Sequence, residues 1–206
     1  MTIALFVGSP RVRSNSRSMA GFLRARLEER GEDVALLDPH GARLDRDRFV
    51  ADSIDVLREA DALVILAPVY IDLPPHVALA WLAELWARRE ELADAAPAIY
   101  AISHSGYFDR IHKRASLEAL EHFSGRMGWP WRGGLAFGGT SPIDGKPLED
   151  AGPFSAKVRP ALEQLAGVIH EDLPIPEDLI RAAGRRPIPL PNRLTVWLMN
   201  TALRRR

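Results

Sequence analysis

Apolar and polar positions run through this chain in two rhythms. Ile3 to Val7 is an unbroken apolar run, which predicts a buried strand. After a polar stretch, Met19, Leu23 and Leu27 recur at four-residue steps and predict one face of a helix, stopped by Glu29-Arg30-Gly31. The two rhythms then repeat. Val34 to Leu37 predicts a second strand, closed by Asp38-Pro39. The Arg- and Asp-rich segment from Arg43 to Arg48 reads as a solvated connection, and Ile54 to Ala60 as a short amphipathic helix. Ala62 to Ala67 is apolar on both faces, as in the middle of a parallel sheet. Val77, Trp81 and Leu85 mark the next helix, and Ala98 to Ile102 a fourth strand. Leu117, Leu120, Phe123 and Met127 mark another helix. Gly133 to Gly139 predicts a fifth strand, and Val158, Leu162, Leu165 and Ile169 a last core helix.

Strand and helix alternating five times predict an α/β fold, a doubly wound five-stranded parallel sheet with helices on both faces. Right-handed crossovers bring the strand-end loops to the carboxyl edge. Five strands fit the order 2-1-3-4-5, with a ligand crevice between the first and third strands. The unusual loops follow strands one, three and four, so the topology converges them on that crevice.

Composition narrows the classes. Of 206 residues, 47% are hydrophobic, enough for one substantial core. The 27 basic and 27 acidic residues cancel, so a whole-protein basic field for nucleic acid is absent. Without cysteine there are no disulfides, thiolate catalysis or Cys-ligated metals. Met1 leads straight into the first strand, and no apolar run reaches the ~20 residues that span a bilayer, so a cytoplasmic protein is expected. The division expected is a domain over residues 1–172 and a tail over 173–206. After Asp178 the tail has seven arginines and no acidic residue. Pro187 to Pro191 reads as a stiff spacer, and Asn192 as the cap of a short amphipathic helix carrying Leu194, Trp197, Leu198 and Thr201. That helix reads as packing on its own domain or a partner subunit rather than on lipid. Trp81, Trp86, Trp129, Trp131 and Trp197 are more large aromatics than one thin helix layer usually hides, which points to a homo-oligomer.

The first loop carries the clearest chemistry. Gly8-Ser9-Pro10-Arg11-Val12-Arg13-Ser14-Asn15-Ser16 joins a strand to a helix. Its Ser9, Ser14 and Ser16 hydroxyls, Asn15 amide, Arg11 fork and helix N-terminus suit a phosphate. It lacks the Gly-Lys-Ser/Thr of a P-loop and the G-x-G-x-x-G of a dinucleotide turn, and no acidic cluster marks a phosphoacceptor. A Ser-capped helix behind a solvated turn is the plain alternative. The second loop is Pro68-Val69-Tyr70 with Ile71-Asp72-Leu73-Pro74-Pro75, stiffened by proline. The third is Ser103-His104-Ser105-Gly106-Tyr107. The histidines show no metal-binding spacing, and no G-x-S-x-G elbow supports a Ser–His hydrolase.

Together the loops resemble the NAD(P)H-dependent FMN reductase group of the flavodoxin-like fold. The first looks like that group's G-S-x-R-x-x-S-x-S/T phosphate loop, and Pro68-Val69-Tyr70 resembles its P-x-Y segment. Leu73-Pro74, Gly106-Tyr107 and Trp131-Arg132-Gly133-Gly134 look like a smaller set of flavodoxin-like oxidoreductases. The likeness spans about the first 170 residues. Ser103-His104-Ser105 stands where that set tends to have Asn-Cys, and the Lys common after P-x-Y is replaced by Ala80-Trp81-Leu82. The resemblance implies FMN, held at its phosphate by Ser9, Arg11, Ser14, Asn15 and Ser16. Pro68, Val69 and Tyr70 would wall the ring, and His104, Ser105, Gly106 and Tyr107 would approach from strand four. It implies NAD(P)H as co-substrate and a quinone-like or other small electron acceptor. The flavin carries the chemistry, so no catalytic side chain is assigned. A flavodoxin-like electron carrier and a flavin-free binding or regulatory domain are the competing classes.

Overall fold

The computed structural model describes residues 1–40, 45–108 and 111–185. Five strands form one parallel sheet: β1 (Thr2–Val7), β2 (Asp33–Leu37), β3 (Ala62–Pro68), β4 (Ala98–Ser105) and β5 (Trp131–Gly138). Their order is β2-β1-β3-β4-β5, as the alternating pattern predicts. Among the described residues six α-helices cover the sheet: α1 (Asn15–Glu28), α2 (Arg46–Arg58), α3 (His76–Ala87), α4 (Ile111–Met127), α5 (Val158–His170) and α6 (Glu177–Ala183).

Successive side chains of a strand face opposite layers, and the sheet shows this directly. Ile3, Leu5, Val64, Leu66, Tyr100 and Ile102 pack with α1, α5 and α6. Ala4, Phe6, Leu63, Ile65, Ile99 and Ala101 pack with α2, α3 and α4. Both faces are therefore covered, which is why the strands read as continuous apolar runs. Phe6 stacks on Trp81 at 3.8 Å, and Trp129 meets Phe123 edge-on and donates its indole N–H to Ala95. The Arg89 and Arg126 guanidiniums each lie over the Trp86 ring, and Trp131 packs against the layer of α2, α3 and α4. The four tryptophans among the described residues thus find partners inside the chain.

Two expectations change. Helix α2 starts at Arg46, inside the segment expected to be a solvated connection, because Asp45 accepts from the Arg48 N–H as an N-cap. Strand β4 runs on through Ser105, so Ser103, His104 and Ser105 are strand residues and not loop residues. Their polar groups are tolerated in a buried strand because each has a partner; Ser103 bonds Ser116 at 3.0 Å, for example. The residues after 172 return to the sheet: the Ile175 N–H bonds the Arg132 carbonyl, and α6 buries Leu179 and Ala183 in the first core. The proline spacer and the helix expected after Asn192 lie outside the described residues.

Candidate functional site

The carboxyl ends of β1, β3, β4 and β5 frame a cleft of about 320 Å³, within the range of ~300–1,000 Å³ common for small-molecule sites. Ser9, Arg11, Ser14 and Asn15 line it from the first loop, Pro68, Val69 and Tyr70 from the second, and His104, Ser105 and Gly106 from β4. The topology thus brings ten of the predicted residues to one place.

The first loop starts at a glycine, where a side chain would be crowded. A Cβ on Gly8 would stand 3.1 Å from the methyl groups of Ala67 and Ala78 and 3.2 Å from the Phe6 ring. Gly8 instead bonds the Leu66 carbonyl and carries the chain over the sheet edge. Ser9 Oγ then accepts from the Arg11 N–H at 3.3 Å, and Ser14 Oγ caps α1 by accepting from the Arg17 N–H at 3.2 Å. Both hydroxyls keep a proton to donate. Arg11 is exposed and, among the described residues, enters no ion pair. Arg17 braces the loop by donating to the Arg11 carbonyl and pairing with Asp38. The free N–H groups of the first turn of α1 add donors to the same corner.

Two predicted residues stand apart. Ser16 is fully buried and is not in the cleft lining; its hydroxyl meets His104 Nε2 at 2.7 Å. Tyr107 is 71% exposed, outside the cleft, with its ring 5.5 Å from that of His112. Asn15 lines the cleft, but its amide serves the loop after β5: Nδ2 donates to the Thr140 carbonyl at 2.7 Å, and Oδ1 accepts from the Gly145 N–H at 2.8 Å. The close approach that Gly106 permits is to Ser141, whose Oγ lies 2.3 Å from where a Cβ would be.

His104 sits just under the floor, with 4% of its surface exposed. Burial, and then the charge of Lys113, pull its imidazole down to about 4, so the ring is neutral at neutral pH. The hydrogen bonds around it set its tautomer. Thr140 Oγ1 donates to the Ser105 carbonyl, which can only accept. Thr140 therefore accepts from His104 Nδ1–H, and Nε2 accepts from Ser16. The ring joins β4 to α1 and to the β5 loop.

The cleft also contains residues that local sequence signals did not flag. Arg13, Thr140, Ser141, Asp144 and Gly145 complete the lining. Arg13 Nε donates to the Asp144 carbonyl at 3.0 Å and its guanidinium faces the Asp144 carboxylate. Behind Ser105, the fully buried Lys113 donates to Ser105 Oγ at 3.2 Å and to the Tyr107 carbonyl at 3.0 Å. Lys157 donates to the carbonyls of Gly138 and Arg185, and burial pulls its ammonium down to about 8. Among the described residues no cluster of His, Asp and Glu could hold a metal, and no helix is long and apolar enough to cross a membrane.

The model of the family described as NADPH-dependent FMN reductase matches residues 1–106, the half of the chain that holds β1 to β4 and two of the three loops. The chain belongs to this family. As an FMN reductase family member it is an NAD(P)H-dependent FMN oxidoreductase. Solved structures share the fold. An NADH:FMN oxidoreductase superposes with TM-score 0.61 at 18% identity, over 93% of this chain and 98% of that one. The NAD(P)H:quinone oxidoreductase from Methanothermobacter marburgensis gives 0.60 at 14%, over 80% and 98%. A flavone reductase gives 0.61 at 13%, over 82% of this chain but only 64% of its own length. At these identities the likeness is one of fold. No curated protein matches the chain in sequence.

Proposed function

We propose that the cleft is the FMN site of this family member and that electrons leave it for a small quinone-like acceptor. The observation that carries the reading is the corner around Arg11. An exposed guanidinium with no ion pair among the described residues stands with two serine hydroxyls and a helix N-terminus. That donor set fits a phosphate dianion, and charge-assisted bonds from Arg11 and the two serines would supply much of its affinity. Asp144, the acidic residue in the lining, is turned to Arg13.

FMN, when bound, supplies acceptance of hydride from NAD(P)H and onward transfer of electrons. The chain's own residues bind, orient and shape. Pro68, Val69 and Tyr70 would wall the ring on the β3 side, and Ser105 and Gly106 would present β4 backbone, the Ser105 hydroxyl being held by the Tyr107 carbonyl and Lys113. Asn15, Ser16 and His104 act one step back, by fixing the loops that carry the donors. The neutral His104 keeps the Ser16 hydroxyl directed at itself, spends its one ring proton on Thr140 and carries no second, acidic proton near neutral pH.

The test is the visible spectrum of the purified protein with added FMN, then NADPH, then a quinone. Flavin bands that bleach with NADPH and return with quinone are expected. Arg11→Ala should weaken FMN by roughly tenfold or more, as charged hydrogen bonds contribute ~1.5–3 kcal/mol. The melting temperature of its apoprotein should not move. A protein that takes up no FMN would return the first loop to a capped turn; bound FMN with no NADPH oxidation would favour an electron carrier.

A further inference from the structure

The rim of the cleft carries an apolar side chain in a backbone conformation that suits it badly. Tyr70 and Leu73 exchange both backbone hydrogen bonds, at 2.9 and 3.3 Å, across the two-residue turn Ile71-Asp72. Both turn residues lie in the left-handed region, Ile71 at φ +51° and Asp72 at φ +67°. This is the geometry of a type I′ turn, where Asn-Gly is usual. Asp tolerates it; a β-branched residue does not. Ile71 is also 97% exposed, so its side chain gains nothing from packing within the chain. It carries a conformational and a hydration cost without a return in stability. Strain of this kind beside a cleft points to a role outside folding.

The neighbours indicate what that role is. Tyr70 lines the cleft and is 45% exposed. Leu73 is half-exposed on the same turn. Asp72 contacts His112 at 3.1 Å, and the His112 ring lies against exposed Tyr107, so the turn and Tyr107 form one exposed patch beside Tyr70. The result is an apolar lip on a cleft whose opposite side is polar.

We propose that Ile71 is a specificity-determining residue for the electron acceptor: with Tyr70 it packs on a flat apolar ring entering the cleft. This rests on the reading of the cleft as the flavin site. A small ring fits the lip better than a second copy of the chain does. Stable protein interfaces need about 800 Å² from each partner, whereas a few side chains on one turn suffice to cover a ring.

Ile71→Gly tests this in the FMN-loaded protein, with menadione as the apolar acceptor and ferricyanide as a small charged one. Glycine adopts positive φ freely, so the melting temperature should rise by roughly 2–4 °C. The menadione KM should rise by about fivefold or more, and so should its dissociation constant for the oxidised holoprotein measured by equilibrium dialysis. Ferricyanide turnover and FMN affinity should hold, and Ile71→Val should restore the menadione KM. A menadione KM and dissociation constant that do not move overturn the proposal, whatever the melting temperature does. The same unchanged values with a fall in molar mass by light scattering assign the turn to a second copy and overturn it too. A wild-type protein that binds no FMN overturns the cleft reading itself. One that binds FMN and reduces menadione, with the variant indifferent, overturns only the role of Ile71.

Discussion

The two sides of the cleft are built on opposite terms. On the side of α1 and the β5 loop, the side chains between the elements are used to hold those elements together. Asn15 spans to Thr140 and Gly145, Ser16 and Thr140 clasp His104, and Arg13 holds Asp144. What that side offers to a ligand is backbone N–H groups, two serine hydroxyls and Arg11. On the side of the β3 turn, Tyr70, Ile71 and Leu73 are held by two backbone bonds and little else, and their apolar surface is exposed. A ligand's charged end needs donors fixed in advance, because dipoles that must reorganise lose much of their benefit. Its flat apolar end needs area and tolerates imprecise geometry. The division of labour follows from that difference.

The largest effect should come from the buried polar side. His104 stays neutral in the folded protein down to about pH 4, while in the unfolded chain it titrates near 6.5. Between those values unfolding takes up a proton, so stability is fully present above pH 6.5 and falls as pH drops to 4. At 1.36 kcal/mol per unit the loss is about 3 kcal/mol at most, on top of the background from other groups. Urea titrations at pH 7, 5.5 and 4 measure it. The slope assigned to this window should vanish in His104→Asn, which has no proton to gain. An equal slope in the variant would mean that the ring is not held dry beneath the cleft.

The next effect comes from the bridge at Asn15. Asn15→Ala leaves the Gly145 N–H and the Thr140 carbonyl without their partner. Two hydrogen bonds of ordinary worth, part-buried, put the loss at about 2 kcal/mol in denaturant titration of the apoprotein. FMN affinity should fall with it, by roughly tenfold, because the loop that carries the donors is released. Lost FMN affinity with unchanged stability would instead make Asn15 a direct phosphate ligand and weaken the contrast between the two sides.

That bridge also shows where sequence reading stops. The strands were legible because a strand buried on both faces is apolar throughout. The first loop was legible because a strand end, a glycine, serines and an arginine fall within a few residues. Asn15, expected at the phosphate, lines the cleft with its amide bonded to residues 125 and 130 positions away, and no local pattern encodes those bonds. Thr140, Asp144 and Gly145 were missed for the same reason. Lys113 was missed because a lysine in an amphipathic helix reads as a surface residue; only the fold shows it buried behind Ser105. The end of β4 was read as loop because Ser-His-Ser is polar, and its burial depends on hydroxyl partners contributed by other elements, Ser16 from α1, Ser116 from α4 and Thr140 from the β5 loop. Helix α6 gave too few residues for a period to be seen.

The smallest effect sharpens the other side of the comparison. Asp72 shares the turn with Ile71 and also sits at positive φ, but a short polar side chain visits that region with little penalty. Its contact with His112 is exposed on both sides, and such pairs contribute little. Asp72→Gly should therefore change stability by less than about 0.5 kcal/mol in either direction. It should also leave acceptor kinetics as they were, although it changes the same turn. This separates two explanations of any gain seen when Ile71 is replaced. If Asp72→Gly stabilises the protein as much as Ile71→Gly does, the gain belongs to the turn in general, and nothing about the β-branched side chain at its tip calls for a functional reason. If Asp72→Gly is silent while Ile71→Gly stabilises, the cost is specific to isoleucine, borne at a position where the fold itself gains nothing from it.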